Sequence, residues 1–212
     1  MKTLFISRDV KTDGPLSQFC KEKEIQLIAE SLIDFKIIIA PDFPKTDVIF
    51  FTSPRSVNFF LLQSNILEKQ LIATVGERTA QELESSGYQV DFIGKTPTQP
   101  ELVAQDFSTW LGEKTVLFPQ SNRSNQTIQK QLNPNQCVNR EVYKTILLSK
   151  TITPQPDILI FSSPSNAEAY LNENTIYTTQ RVLAFGSSTA TFLNSKQIPN
   201  QLVDGIMEKD IV

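Results

Sequence analysis

At 212 residues, 40% hydrophobic and 20% charged with a formal net charge of −3, the chain can bury one large core or two smaller ones. It lacks the basic excess needed to bind nucleic acid or anionic membrane nonspecifically. It contains no histidine, which removes histidine triads and the commonest metal ligand together, and its two cysteines, Cys20 and Cys137, have no CxxC spacing, so neither a metal nor a redox cofactor is expected.

The apolar run Leu4-Phe5-Ile6 stops at Ser7, Arg8 and Asp9, too short for the apolar core of a secretory signal. No later run approaches the roughly 18 residues that span a bilayer. A cytoplasmic protein with free thiols is the expectation. The first elements are a strand at Thr3–Ile6, a helix at Pro15–Glu22 and an extended run at Ile25–Ala40. Asp47-Val-Ile-Phe-Phe-Thr-Ser-Pro54 then reads as a buried strand entering a helix at 55–63, with Ser53 as N-cap and Pro54 at the first helical position. A strand at Gln70–Val75 follows, then the turn Gly76-Glu-Arg-Thr-Ala80 and a helix that Gly87 ends. Next come a strand near Gln89–Ile93, a helix at Glu101–Leu111 closed by Gly112, a strand at Thr115–Phe118, a helix at Asn125–Leu132 and an extended run at Cys137–Leu148.

The following segment repeats the earlier one. Asp157-Ile-Leu-Ile-Phe-Ser-Ser-Pro164 matches Asp47–Pro54, and Phe185-Gly-Ser-Ser-Thr-Ala190 matches Val75–Ala80, both at an offset of 110 (Asp47 to Asp157, Gly76 to Gly186). Two matches at one offset indicate duplication. The second copy reads as strand, helix at Ser165–Leu171, strand at Arg181–Phe185 and a second helix after the Gly186 turn, but the chain stops before its remaining elements. Those elements reappear at the N-terminus, where Thr3–Ala40 resembles Thr115–Leu148. The expected fold is therefore α/β, with two similar flavodoxin-like lobes of parallel sheet. Lobe one comprises residues 1–36 plus 149–212 and is built from both termini; lobe two comprises 37–148, and a two-stranded crossing joins them.

Both Ser-Pro turns and both Gly-x-x-Thr-Ala turns fall at carboxyl ends of strands, so four helix starts are expected around a cleft between the lobes. Their N–H groups and positive dipole ends suit anions; the same residues also belong in plain βα turns. Gly76 and Gly186 lack the further glycines of a dinucleotide fingerprint, and no phosphate loop is present. Tyr143, on the second crossing, reads either as a packed strand tyrosine or as a phenol able to donate a proton. Arg55 is among several arginines able to hold carboxylates.

The ordered set Leu4–Asp9, Phe51–Arg55, Val75–Ala80, Leu117–Pro119, Val142–Thr145, Phe161–Ser165 and Phe185–Ala190 resembles the uroporphyrinogen-III synthase family along nearly the whole chain. The resemblance implies a cofactor-independent lyase that cyclises hydroxymethylbilane, a linear tetrapyrrole carrying eight carboxylates, and inverts its last ring. It points to Tyr143 as the catalytic residue. It also points to Ser53, Thr79, Ser163, Ser188 and Thr189 as substrate-binding, to which Arg55 is added as a candidate holder of carboxylates; a monomer with no nucleic-acid or membrane partner is the expectation. Ser188 replaces a threonine found in some members, and the usual C-terminal helix looks shortened after Gln201-Leu-Val203. The rival reading is a noncatalytic two-lobed binding module.

Overall fold

The central strands of this chain, such as Val48–Phe51 and Ile158–Phe161, are short apolar runs of Val, Ile, Leu and Phe with no polar alternation, which suits strands covered on both faces. A computed structural model describes residues 1–40, 42–97 and 99–203. Two compact units are present: Met1–Asp34 together with the chain from Ile146 onward, and Phe35–Thr145.

In the first unit, β1 (Thr3–Ile6), α1 (Pro15–Glu22) and β2 (Gln26–Ala29) come from the N-terminus. The crossing strand β3 (Ile33–Ile37) leads to the second unit, which contains β4 (Val48–Phe51), α2 (Pro54–Leu61), β5 (Leu71–Thr74) and α3 (Glu77–Ser85). It continues with β6 (Phe92–Ile93), α4 (Pro100–Leu111), β7 (Val116–Ser121) and the returning crossing strand β8 (Cys137–Leu147). The first unit resumes with β9 (Ile158–Phe161), α5 (Pro164–Glu173), β10 (Arg181–Phe185), α6 (Ser187–Ser195) and β11 (Gln201–Val203).

The sheet of the first unit has order β11-β10-β9-β1-β2, and the other has order β3-β8-β7-β4-β5-β6. All pairings in the first sheet, and those from β8 through β6 in the second, are parallel. Aligning the two orders at β9 and β4 gives every strand of the first sheet a counterpart in the second, with β1 and β2 where the second unit has β7 and β8; β3 has no counterpart. The duplication extends to side chains. The Asp47 carboxylate accepts from the Thr115 N–H at 2.8 Å, and the Asp157 carboxylate accepts from the Thr3 N–H at 2.7 Å. These pairs tie equivalent strands, although Thr115 follows its partner in the chain and Thr3 precedes it.

Both faces of each sheet are packed. Val48 and Phe50 join Phe107, Val116 and Phe118 on one face of the second sheet, while Ile49 and Phe51 join Val57, Phe60 and Leu83 on the other. Phe5, Leu159, Phe161 and Tyr170 fill one face of the first sheet, and Leu4, Ile6, Ile160 and Leu183 the other. Each such side chain, once buried, contributes about 1.5–3 kcal/mol before chain entropy is charged against it.

One expected element is absent. The stretch 125–132 forms no α-helix; it makes turns with a single 3₁₀ turn at Gln129–Gln131, and a second 3₁₀ turn follows at Pro134–Gln136. Gln126 adopts φ 53°, and the Gln129 side chain is drawn inward to donate to the Gln120 and Asn139 side chains at 2.8 and 3.2 Å. Buried Ile128 and Leu132 mimic a helical apolar spacing, while Asn and Gln compete locally with the helix backbone. The expected shortening of a C-terminal helix falls outside the described residues.

Candidate functional site

Strand β8 carries the site. Asn139 and Glu141 are exposed, and by strict alternation Tyr143 would share their face, yet Val142 and Tyr143 are buried in succession. The cause is a bulge against β7: Gln120 faces Glu141 and Ser121 faces Tyr143, leaving Val142 as the extra residue. Such an insertion turns the following side chain to the opposite face. Tyr143 is thereby 7% exposed.

The backbone around the bulge is pinned from three sides. The Val142 carbonyl accepts from the Ile38 N–H at 3.0 Å and from the Gln63 amide at 3.3 Å. The Tyr143 carbonyl accepts from the Asn122 N–H at 3.2 Å, and the Thr145 N–H donates to the Asn122 side chain at 3.0 Å. The Thr145 and Ser121 hydroxyls meet at 3.2 Å. Bulge geometry is thus held by the turn after β7, by the chain after β3 and by the end of α2.

The phenol ring is stacked on Phe59, with centroids 5.0 Å apart and planes at 16°. Phe35 meets it edge-on at 5.9 Å. The Arg55 guanidinium carbon lies 3.4 Å from the Phe35 ring centroid, and the Arg55 side chain faces the Tyr143 hydroxyl. Arg55 is exposed as a whole residue, but its head group is covered by these rings. Burial pushes the guanidinium pKa below its usual value; the Tyr143 hydroxyl works against that, and the nearby charge of Arg78 adds to it. The head group stays charged nonetheless. Arg55 has only donors, so a bond between the two would use the phenol oxygen as acceptor and leave the phenol's own hydrogen to point elsewhere.

Of the residues singled out in the sequence, Tyr143 and Arg55 are brought together, with Ser53 one turn away at the start of α2. The Ser53 hydroxyl accepts from the Ser56 N–H at 3.1 Å and completes a capping box. The Ser163 hydroxyl accepts from the Asn166 N–H at 3.2 Å. Thr79 and Thr189 are buried, and the Thr189 hydroxyl donates to the Phe185 carbonyl at 2.9 Å. Ser188 is exposed at the start of α6. The serine caps hold their own helices, an interaction worth about 1 kcal/mol each.

The two turn types differ in the N–H groups they offer. In the Ser-Pro turns Pro54 and Pro164 have none, and the third helical N–H goes to the cap. In the Gly turns the first-turn residues are Glu77 and Arg78, or Ser187 and Ser188, all exposed. The second Gly turn is neutral, whereas Glu77 brings a competing carboxylate to the first.

Phe35, Phe59, Gln63, Arg78 and Asn122 were not legible beforehand as site residues. The one signal for the bulge was the adjacent pair Val142-Tyr143 in a strand that otherwise alternates. Among the described residues no group of three His, Cys, Asp or Glu could hold a metal, and no helix is long and apolar enough to cross a membrane.

A sequence model described as uroporphyrinogen-III synthase HemD matches residues 16–206. The chain belongs to the uroporphyrinogen-III synthase family. That family comprises cyclising lyases of tetrapyrrole biosynthesis. A curated uroporphyrinogen-III synthase of Chlorobaculum parvum is 25% identical over a 228-residue alignment covering 96% of this chain and 93% of the relative. The crystal structure of uroporphyrinogen-III synthetase from Helicobacter pylori matches with a TM-score of 0.69 at 19% identity, over 96% of this chain and 93% of that one. A mutant uroporphyrinogen III synthase from Thermus thermophilus matches with a TM-score of 0.65 at 12% identity, over 97% and 93%. At these identities the two structures speak for the shared fold.

Proposed function

We propose that this synthase-family chain converts hydroxymethylbilane to uroporphyrinogen III, with Tyr143 as the acid that releases the substrate hydroxyl. The observation that carries this reading is the bulge at Val142, which buries one phenol on a bed of aromatic rings with a guanidinium at its oxygen. A pyrrole nitrogen lone pair expels the substrate hydroxyl, the phenol supplies the proton, and water leaves. An azafulvenium cation remains, and Arg55 faces the phenolate. Acid assistance of this kind is worth ~10²–10⁴-fold.

The larger task is geometric. The free tetrapyrrole closes without inversion, so the enzyme must present the substituted carbon of the last ring for attack and form a spiro intermediate. That intermediate fragments and recloses with the ring inverted, and the proton released in the final step returns to Tyr143. Holding the reacting ends in place accounts for about 7–11 kcal/mol of the barrier. In this reading the backbone N–H groups at the start of α3 in one unit and of α6 in the other are the preferred carboxylate donors, with Ser53, Arg55 and Thr79 as candidate binding residues of the former unit and Ser163, Ser188 and Thr189 of the latter. The enzyme works without a cofactor, as a monomer in the cytoplasm.

The test supplies enzymatically generated hydroxymethylbilane and identifies the isomer that accumulates. The wild-type chain is expected to give the inverted isomer, and Tyr143→Phe to fold yet lose most of the rate. Only the non-inverted isomer, formed at the unassisted rate, would instead indicate a binding module; a Tyr143→Phe variant at wild-type turnover would remove Tyr143 from the acid's role.

A further inference from the structure

We infer that Gln63 is a positioning residue for Tyr143, an inference that rests on the reading of Tyr143 given above. Gln63 lies two residues beyond the last residue of α2, and its single amide group reaches three segments. Its nitrogen donates to the Phe59 carbonyl at 3.0 Å and to the Val142 carbonyl at 3.3 Å. Its oxygen accepts from the Ala40 N–H at 2.9 Å. Each of those segments carries part of the site. Phe59 is the ring stacked on Tyr143, Val142 is the bulged residue immediately before it, and the chain leading to Ala40 begins with Phe35, on which Arg55 rests.

Only an amide meets all three demands. Two carbonyls need donors and one N–H needs an acceptor, so a carboxylate would face two carbonyl oxygens with like partial charge, and an apolar side chain would satisfy none. The bulge depends on this more than a regular strand would, because the extra residue has no partner on β7. The Val142 carbonyl takes its bonds from Ile38 and Gln63 instead. Releasing one of the two lets the bulge relax toward the alternating register, which would turn Tyr143 away from Phe59 and Arg55.

The experiment uses the full-length protein, with Gln63→Ala and the near-isosteric Gln63→Met made alone and each combined with Tyr143→Phe. Proton NMR reads the Tyr143 ring, whose resonances are shifted upfield by the stacked Phe59, and kinetics with generated hydroxymethylbilane reads turnover. The expected result is loss of the upfield shift in a folded variant and a fall in kcat of about tenfold with KM changed by less than about threefold. In the Tyr143→Phe background the same substitution changes the residual rate by less than about twofold, since two changes acting through one group are not additive. Unmoved Tyr143 resonances, or losses that multiply in the double variants, overturn the assignment of Gln63 while leaving Tyr143 as the acid. Full turnover by Tyr143→Phe alone overturns the acid reading itself, and the positioning role with it.

Discussion

Arg55 stands against two aromatic residues with one head group: it sits over the Phe35 ring and faces the Tyr143 hydroxyl. Both depend on a planar, delocalised cation with several donors in a fixed fork, and a lysine ammonium cannot lie on a ring and reach sideways in the same manner. Arg55→Lys is therefore expected to keep the fold and the charge yet lower kcat about tenfold; turnover equal to wild type would show that charge alone suffices. Tyr143 stood out in the sequence as a candidate because it lies in a recognisable run, Val142–Thr145, although from the residues alone a packed strand tyrosine was the leading reading. Gln63 could not be found. Its role comes from three segments that are distant along the chain, and nothing local marks an amide that bridges them.

Helix ends show the duplication running slightly out of step with side-chain choice. In α3 the chain leaves through Gly87 at φ 86°, with the Tyr88 N–H returning to the Leu83 carbonyl at 3.0 Å. In α6 the equivalent position is Gln197 at φ 59°, and the Ile198 N–H returns to the Leu193 carbonyl at 3.0 Å. A left-handed conformation costs a residue with a Cβ about 1–2 kcal/mol, partly offset in glycine by the greater freedom of its unfolded chain. Gln197→Gly is expected to stabilise the protein by about 1 kcal/mol, raising Tm by about 2–4 °C; an unchanged or lowered Tm would show that the glutamine side chain compensates. The α6 exit was hidden in the sequence because glycine was the only marker available, and α6 ends without it. The opposite error occurred at 125–132, where the spacing of Ile128 and Leu132 resembled a helical stripe. There the polar side chains took their bonds from neighbouring strands.

At the scale of the molecule, two similar units of parallel sheet were expected from a repeat at constant offset, because parallel βα units leave few ways to connect such strands. What pattern could not reveal is how the matched strands are fastened. Asp47 accepts from both the N–H and the hydroxyl of Thr115, each at 2.8 Å. The Thr115 N–H is the chief cause, and its hydroxyl the next, of an Asp47 pKa held below the usual carboxylate range. A carboxylate with a depressed folded-state pKa adds stability that is fully present above its unfolded value, near 3.9, and is lost as pH falls through the folded value. Asp47→Asn should therefore flatten the part of the stability curve below about pH 4, as read by denaturant unfolding across an acid series. An unaltered acid limb would mean that Asp47 is not held by Thr115 in solution.

The first sheet places β1 between β2 and β9, so the earliest strand to leave the ribosome must wait for one made more than half a chain later. At common synthesis rates that wait is on the order of ten seconds. Meanwhile Leu4, Phe5 and Ile6 have β2 for company but not β9, an opening through which a nascent chain can pair with the wrong neighbour. A tetrapyrrole enzyme assembled in this order should lean on chaperones during translation far more than its modest size suggests, and the unit comprising Phe35–Thr145, contiguous in the chain, should be the first to become resistant to protease on the ribosome.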